Sequence, residues 1–339
     1  MDESLTICKK IPANGANRQN NDIKVSVTVL TYNHEKYIRQ ALDSILMQRT
    51  NFSYEALVGD DASHDGTPEI LREYAEKYPQ IIRLFLRGKN LGASRNAYEL
   101  TIRARGEYLA ALDGDDFWTD PDKLQIQADF LDAHKEFIGC VHDYETVDEE
   151  GRSQGKKRIS WISEKKIFAL KDFKGVVLPG HSLTIMKRNI FKEPQHDYTI
   201  VYKAHPMICD RTGALLYLAL GSFFRIERSM GAYRRVRNKS GSNLTSTLYL
   251  GDEDHLYNDY LYTDRLQSYA ESVLHVDGGF EIRKRELFAG VLCRFFLRPS
   301  GEKFKIIKEM LKNAQAPALY LLTVPYNVIK KLYIKFIYK

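Results

Sequence analysis

"VSVTVLTYNHEKYIRQALDSILMQ", residues 25–48, carries two hydrophobic rhythms on either side of a polar loop. Residues 25–30 form an uncharged, β-branched run, the pattern of a buried strand, while Ile38, Leu42, Ile45 and Leu46 recur at helical spacing. The same switch repeats downstream. "YEALVG" (54–59) predicts a second strand, and Thr67 with Pro68 predicts the cap and first turn of a helix whose buried stripe is Ile70, Leu71 and Tyr74. "IIRLFL" (81–86) predicts a third strand, "ASRNAYELTIRA" (93–104) a third helix and "EYLAAL" (107–112) a fourth strand. Asp120 and Pro121 predict the start of a fourth helix, continued by Leu124, Gln127, Ala128 and Leu131. Strand alternating with helix implies an α/β fold, a mostly parallel central sheet with helices on both faces.

Ligands of such sheets gather at the carboxyl ends of the strands. Three polar clusters fall there: "TYNHE" (31–35), "DDASHDGT" (60–67) and "DGDD" (113–116). In the last, Asp113, Asp115 and Asp116 crowd around Gly114 with no basic residue beside them in sequence, so a cation is expected from outside. Two carboxylates two residues apart can approach one hard divalent cation, and Mg²⁺ or Mn²⁺ favours such oxygen ligands. Gly114 lets the turn bend without a Cβ. The competing reading is a solvated Asx-type turn. A phosphotransferase of the haloacid dehalogenase type also places DxD after a strand, but it wants a small hydroxyl or aliphatic residue where Phe117 stands. Asp61, Ser63, Asp65 and Gly66 fit the opening of an EF-hand loop, yet the twelfth position is Arg72 and Pro68 starts a helix inside it.

The 339 residues are 44% hydrophobic and 28% charged, proportions that exclude a disordered chain over most of the length. The net charge of +6 is a mild excess concentrated late in the sequence, as at Lys165, Lys166, Arg234, Arg235, Arg237 and Lys239, which suits anionic ligands or a lipid surface. Cys8, Cys140, Cys209 and Cys293 are scattered without a CxxC pair, which favours a reducing compartment over a disulfide framework or zinc site. With no apolar leader and no long uncharged apolar run, a cytoplasmic protein is expected. The reading divides the chain into a flexible leader (1–22), a nucleotide-binding α/β half (23–145), an acceptor-binding half (146–300) and a helical tail (301–339), with polar loops expected at 148–158 and 233–243.

Together "VSVTVLTYNHEKYIRQALDSILMQ", "VGDDASHDGT" (58–67), "NLGASRNAYELTIRARGEYLAALDGDD" (90–116) and "TDPDKL" (119–124) resemble a family 2 glycosyltransferase of the bacterial surface-glycan type, with a GT-A fold. The resemblance runs from about residue 23 to 135. It implies inverting transfer of a sugar from a nucleotide diphosphate donor, here a UDP-sugar, with Mn²⁺ or Mg²⁺ as cofactor. Carried onto this chain, it implies that Thr31 and Tyr32 line the nucleoside pocket and that Asp61 reads the base edge, with Asp60 sharing that role. Arg95 would lie near the donor, Asp113 near the ribose and Asp115 on the metal, the two acids forming the metal-binding DxD pair. A metal stabilises the leaving diphosphate, and a general base must deprotonate the acceptor hydroxyl from the opposite side.

That base is implied in "HPMICDRTGALLYLALGSFFRIERSMGAYRR" (205–235), at Asp210, with Asp197 the next candidate. Cys209 departs from the family's acidic or glycine neighbour, and a helix N-cap is the other reading of Asp210. The family's Tyr-Arg-x-His becomes Tyr233-Arg234-Arg235-Val236, so the histidine is missing, while Arg234 and Arg235 face the diphosphate in this reading. His181, in "PGHS", either touches a substrate or is an ordinary loop residue. The implied acceptor is a glycan or a lipid-linked sugar. The alternative function is a non-catalytic sugar-nucleotide-binding protein. Nucleic acid is disfavoured, because the basic residues lack interleaved aromatic platforms.

In the tail, Pro325 should break a helix, leaving a last segment from about Tyr326 in which Lys331, Lys335 and Lys339 share one face. Val328, Leu332 and Phe336 line the adjoining face, a pattern suited to a peripheral membrane contact. The alternative is packing on the enzyme itself or on a second copy of the chain, in a homo-oligomer.

Overall fold

The computed structural model describes residues 5–7, 23–156, 159–235 and 255–328. Strand β1 (Leu5–Ile7) falls inside the stretch expected to be a loose leader and pairs antiparallel with residues 85–87. The expected alternation follows: β2 (Val25–Thr31), α1 (Ile38–Leu46), β3 (Tyr54–Asp60), α2 (Thr67–Lys77), β4 (Ile82–Arg87), α3 (Ala93–Thr101) and β5 (Tyr108–Asp113). Then come β6 (Phe117–Trp118), α4 (Lys123–Ala133) and β7 (Phe137–Val147). Two helix starts differ from the sequence reading. The N-cap of α2 is Gly66, and Thr67 is already helical, its amide donating to Asp65 Oδ1. Asp120 accepts from the Asp122 amide in a turn that also holds Pro121, so α4 begins only at Lys123.

Alternation along the strands decides which helix covers which face. Val25, Val27 and Val29 of β2, with Ala56, Val58, Leu84 and Ala110, join one core with residues of α1, α2 and α4. The intervening Leu57, Phe85 and Leu109 point the other way and pack with Leu100 of α3. Helices therefore lie on both faces.

After β7 come β8 (Ile167–Phe168), α5 (Leu170–Phe173), β9 (Met186–Arg188), α6 (Ile200–Lys203), α7 (Asp210–Leu218) and β10 (Ser222–Arg234). The sheet order is β1-β4-β3-β2-β5-β9-β7-β10-β6, with β8 also pairing β10. Strands β4, β3, β2 and β5 are parallel neighbours, as are β7 and β10, and β9 runs antiparallel between β5 and β7.

The chain forms two compact units, 1–170 with 177–243 and 171–176 with 244–339. This division departs from the expected boundaries at 145/146 and 300/301, because β10 pairs with β7 and keeps the later strands in the first unit's sheet. The second unit contains α8 (His255–Tyr269), α9 (Phe280–Leu297), α10 (Gly301–Lys312) and α11 (Pro317–Leu322). Its core gathers Tyr260, Leu287, Phe288, Ile307, Met310 and Tyr320, with Lys284 buried against Asp264 at 2.7 Å. Lys331, Lys335 and Lys339 lie outside the described residues, as does the 233–243 loop from Val236 onward.

Candidate functional site

Strand register gathers most of the expected site residues at one edge of the sheet. Thr31, the last residue of β2, stands opposite Asp60 of β3, and Leu30 stands opposite Asp113 of β5. Beyond the strands the two following loops are laced together. Asn33, held at a left-handed φ of 55°, donates its amide to Ser63 Oγ (2.8 Å) and accepts the His64 amide on Oδ1 (2.9 Å). The His34 amide reaches Thr67 Oγ1 at 2.9 Å, and the Glu35 amide reaches Asp65 Oδ2 at 3.1 Å. Tyr32 is 40% exposed, its ring edge-on to His64 at 6.4 Å.

Neighbouring acids are already occupied. Asp60 accepts the Ser63 amide (3.0 Å) and hydroxyl. Asp61 accepts the amides of Leu91 (2.7 Å) and Gly92 (3.0 Å), tying β3 to the start of α3. Burial pushes both carboxyls up, opposed by these hydrogen bonds. Gly92 has a φ of 84°, a conformation glycine adopts without a Cβ penalty. Arg95 then lies on the first turn of α3, half exposed, with its guanidinium 5.5 Å from the Tyr202 ring centroid.

In the 113–116 turn, the Gly114 amide donates to Leu30 O (2.8 Å), and the Asp116 amide to Asp113 O (3.0 Å). A Cβ on Gly114 would stand 2.7 Å from His34 Nδ1 and 2.9 Å from Thr31 Oγ1, so this turn nests against the first loop only as glycine. Asp116 is buried. Its Oδ1 accepts the Arg234 amide (2.8 Å), and its Oδ2 has no hydrogen-bond partner. The Asp116 carboxyl is held well above the usual range by burial and by the charges of Asp115 and Asp113.

Arg234 corrects the sequence reading, in which it faced the diphosphate. It is 2% exposed, and its guanidinium donates to the carbonyls of Asp115 (2.8 Å), Asp148 (3.2 Å) and Glu149 (2.6 Å) and to Gln40. The Tyr37 ring lies 4.7 Å from it. A basic group does reach the acidic turn, from far along the chain, but it braces the backbone. Arg235 is exposed, and its amide pairs with Val147 O.

Asp113, Asp210, Ser182 and Lys187 line one cavity of about 130 Å³, whose remaining walls are mainly apolar. Ser182 Oγ donates to Asp113 Oδ2 at 2.8 Å. The Asp113 carboxyl is nevertheless pushed up to about 7, first by burial and then by the charges of Asp115 and Asp210. Asp210 is the first residue of α7, with Cys209 in the N-cap position, so the acid is free of a capping bond. It is exposed toward the cavity. The surrounding walls raise its carboxyl, and Lys187 opposes that shift. Lys187 stands on β9 opposite Leu109, its Nζ 4.3 Å from the Tyr217 ring centroid, and burial lowers its ammonium. Among the described lining residues it is the one cationic side chain.

The His181 ring lies tilted at 38° to that of Tyr233, their centroids 4.2 Å apart, with Nδ1 3.9 Å from Asp116 Oδ2. Burial lowers its imidazole to about 4, so the ring is neutral at pH 7 and no ion pair forms. Asp197 lies outside the cavity lining, accepting from the Thr199 amide (2.9 Å) and hydroxyl (2.7 Å). Ser182 and Lys187 escape the sequence reading. Ser182 sits inside the "PGHS" motif noted for its histidine, and Lys187 has no local signal, since only the insertion of β9 beside β5 turns it to the cavity. Among the described residues, no three His, Cys, Asp or Glu side chains stand preassembled as a metal centre.

Comparison with known proteins places these features in context. The profile described as Glycosyl transferase family 2 matches residues 26–193. A Mycobacterium tuberculosis protein is 44% identical over 147 residues, 43% of this chain and 42% of that protein. TuaG of Bacillus subtilis, named for teichuronic acid biosynthesis, is 38% identical over 107 residues, 32% of this chain and 41% of TuaG. The matched regions thus span less than half the length of these relatives. Staphylococcus aureus TarS 1–349, solved in complex with UDP-GlcNAc, superposes with a TM-score of 0.57 at 19% identity, covering 85% of this chain and 80% of that one. The fold is of the GT-A type.

Proposed function

The chain belongs to glycosyl transferase family 2, and from that premise we propose an inverting enzyme that moves a sugar from a UDP-sugar donor to a surface-glycan or lipid-linked acceptor. The observation that carries this reading is the meeting of Asp113 and Asp210 on one cavity, one carboxyl at the sheet edge and one on α7.

In this reading Thr31 and Tyr32 border the nucleoside, and Asp61 meets the base edge with oxygens that already hold two amides. Each carboxylate oxygen has a second lone pair to offer. Asp60 shapes the same loop through Ser63. Arg95, half exposed on the first turn of α3, meets the donor's charge.

The acidic turn suits a hard divalent cation. Its donors are all carboxylate oxygens, Asp113 is raised by burial and then by like charges that a cation would relieve, and Mg²⁺ or Mn²⁺ is commonly held by one or two carboxylates plus phosphate oxygens. Asp115 and Asp113 would hold it, and its chemistry would be Lewis-acid stabilisation of the departing diphosphate. Arg234 keeps the Asp115 carbonyl fixed, and with it the direction of that turn. Asp210 accepts the proton of the acceptor hydroxyl as that oxygen attacks the anomeric carbon opposite the leaving group. Lys187 offsets the cost of an ionised Asp210 inside the cavity. A lipid-linked acceptor would place the reaction at the cytoplasmic face of the cell membrane.

The test is a thermal-shift series with UDP and GDP in the presence and absence of Mn²⁺, followed by donor turnover. A ligand that binds only the native state raises the melting temperature. Mn²⁺-dependent stabilisation by UDP, with turnover of a UDP-sugar, is expected. Stabilisation without any turnover across a panel of UDP-sugars and glycan acceptors would instead favour a sugar-nucleotide-binding protein.

A further inference from the structure

Positive charge concentrates toward the end of the sequence. From Arg294 to the last residue there are ten Lys or Arg against Glu302 and Glu309, a net +8, while the whole chain carries +6. The remaining residues are therefore net acidic. This basic stretch also exposes large apolar side chains. At the corner where α9 meets α10, Phe296 and Leu297 are 73% and 81% exposed and Phe304 is 49% exposed. The corner is ordered by its own contacts: the Phe295 ring lies 5.9 Å from Phe296 and 6.2 Å from Phe304, and Lys303 Nζ donates to Arg298 O at 3.1 Å. Lys308 Nζ lies 4.7 Å from the Phe304 ring centroid. Farther on, Leu321, Leu322 and Tyr326 are exposed as well.

We propose that the α9–α10 corner is a membrane-docking surface that inserts Phe296, Leu297 and Phe304 into the interface of an anionic bilayer, with Arg298, Lys305 and Lys308 on its headgroups. Charge complementarity selects the occupant. A bilayer interface accepts aliphatic and aromatic side chains alike beneath a basic rim. Single-stranded nucleic acid wants aromatic platforms and gains little from leucines. Among the described residues no helix is long and apolar enough to cross a membrane, so the contact is peripheral. The sequence reading placed the membrane contact in the 301–339 tail, on the segment from about Tyr326; the corner lies upstream of that segment, in residues the structure describes.

The experiment is vesicle flotation of the full chain, on phosphatidylcholine alone and on phosphatidylcholine with phosphatidylserine. Binding is expected only with the anionic lipid, weakening as salt is raised. Lys305→Glu with Lys308→Glu should lower the partition coefficient more than roughly 25-fold, about fivefold per lysine removed. Phe296→Ser with Leu297→Ser should weaken binding at every salt concentration. All four substitutions fall on exposed positions, so an unchanged melting temperature and unchanged donor turnover in detergent-free buffer separate lost docking from lost folding. The proposal is overturned if the full chain ignores phosphatidylserine, if the variants float like the parent, or if the serine variant instead abolishes a dimer seen by light scattering. Flotation, melting temperature and light scattering do not depend on sugar transfer, so the membrane surface and the enzymatic reading stand or fall separately.

Discussion

The 60–67 loop and the cavity-facing acids are equally rich in carboxylates but use them oppositely. In the loop, Asp60, Asp61 and Asp65 accept backbone amides or hydroxyls and hold neighbouring segments in place. Around the cavity, Asp113 takes one hydroxyl from Ser182, and Asp210 has Lys187 as an electrostatic neighbour. An acid that accepts several amides is a fastener. An acid left desolvated beside like charges keeps chemical potential for a proton or a cation. The difference follows from backbone geometry: loops that double back offer amides, whereas the end of β5 and the start of α7 face a cavity with few donors.

The sharpest way to break this comparison is Asp210→Asn. Removing a positioned general base should reduce transfer by about 10²- to 10⁴-fold while calorimetry shows UDP binding with Mn²⁺ nearly intact. Full transfer in the variant would reduce Asp210 to a cavity wall. Next is Asp115→Asn, which keeps shape and removes charge. Turnover should fall by roughly 10²- to 10³-fold, the effect of losing one transition-state electrostatic contact, and nucleotide affinity should no longer respond to Mn²⁺. Metal-dependent turnover at the parental rate would assign the cation elsewhere.

A subtler difference lies in pH. The folded Asp113 carboxyl titrates near 7, above its ordinary value of 3.8. Between those values the native chain holds a proton that the unfolded chain has released, so stability falls as pH rises through that window. The metal-free chain should therefore melt at a lower temperature at pH 8 than at pH 5, with a smaller drop in Asp113→Asn. Mn²⁺ should restore most of the loss above pH 7. A parallel pH dependence in both proteins would show that Asp113 does not carry it. The smallest effect belongs to the fastener class. Asp65→Ala strips acceptors from the Glu35 and Thr67 amides and should cost about 1–3 kcal/mol of stability. Urea unfolding measures this, and turnover of the folded variant should stay near the parental level.

What could be read from sequence follows the same divide. Apolar runs and helical stripes disclose β2 to α4, because burial imposes a period on each element. "DGDD" and the aspartate that closes "ICD" (208–210) are visible because their residue types are unusual where they stand. Sequence does not tell a fastener from a cavity-facing acid, since Asp60 and Asp113 are both aspartates that close a strand. Arg234 looked like a ligand for phosphate because its burial depends on carbonyls from residues 115, 148 and 149. Lys187 had no signal, because its exposure to the cavity is a property of sheet order. The late start of α4 escaped because Asp120 closes a turn that mimics a cap.

Strand β9 carries a consequence of its own. It is three residues long, yet Met186 is fully buried in the core while its neighbour Lys187 lines the cavity. Side chains alternate along a strand, so a slip of one residue would exchange the two, putting an ammonium into the hydrocarbon core and a thioether beside Asp210. Both penalties arise at once. The segment from Ser182 to Arg188 is thus frame-locked: single-residue insertions or deletions should be tolerated on either side of it and excluded within it, even where every point substitution that preserves polarity is accepted.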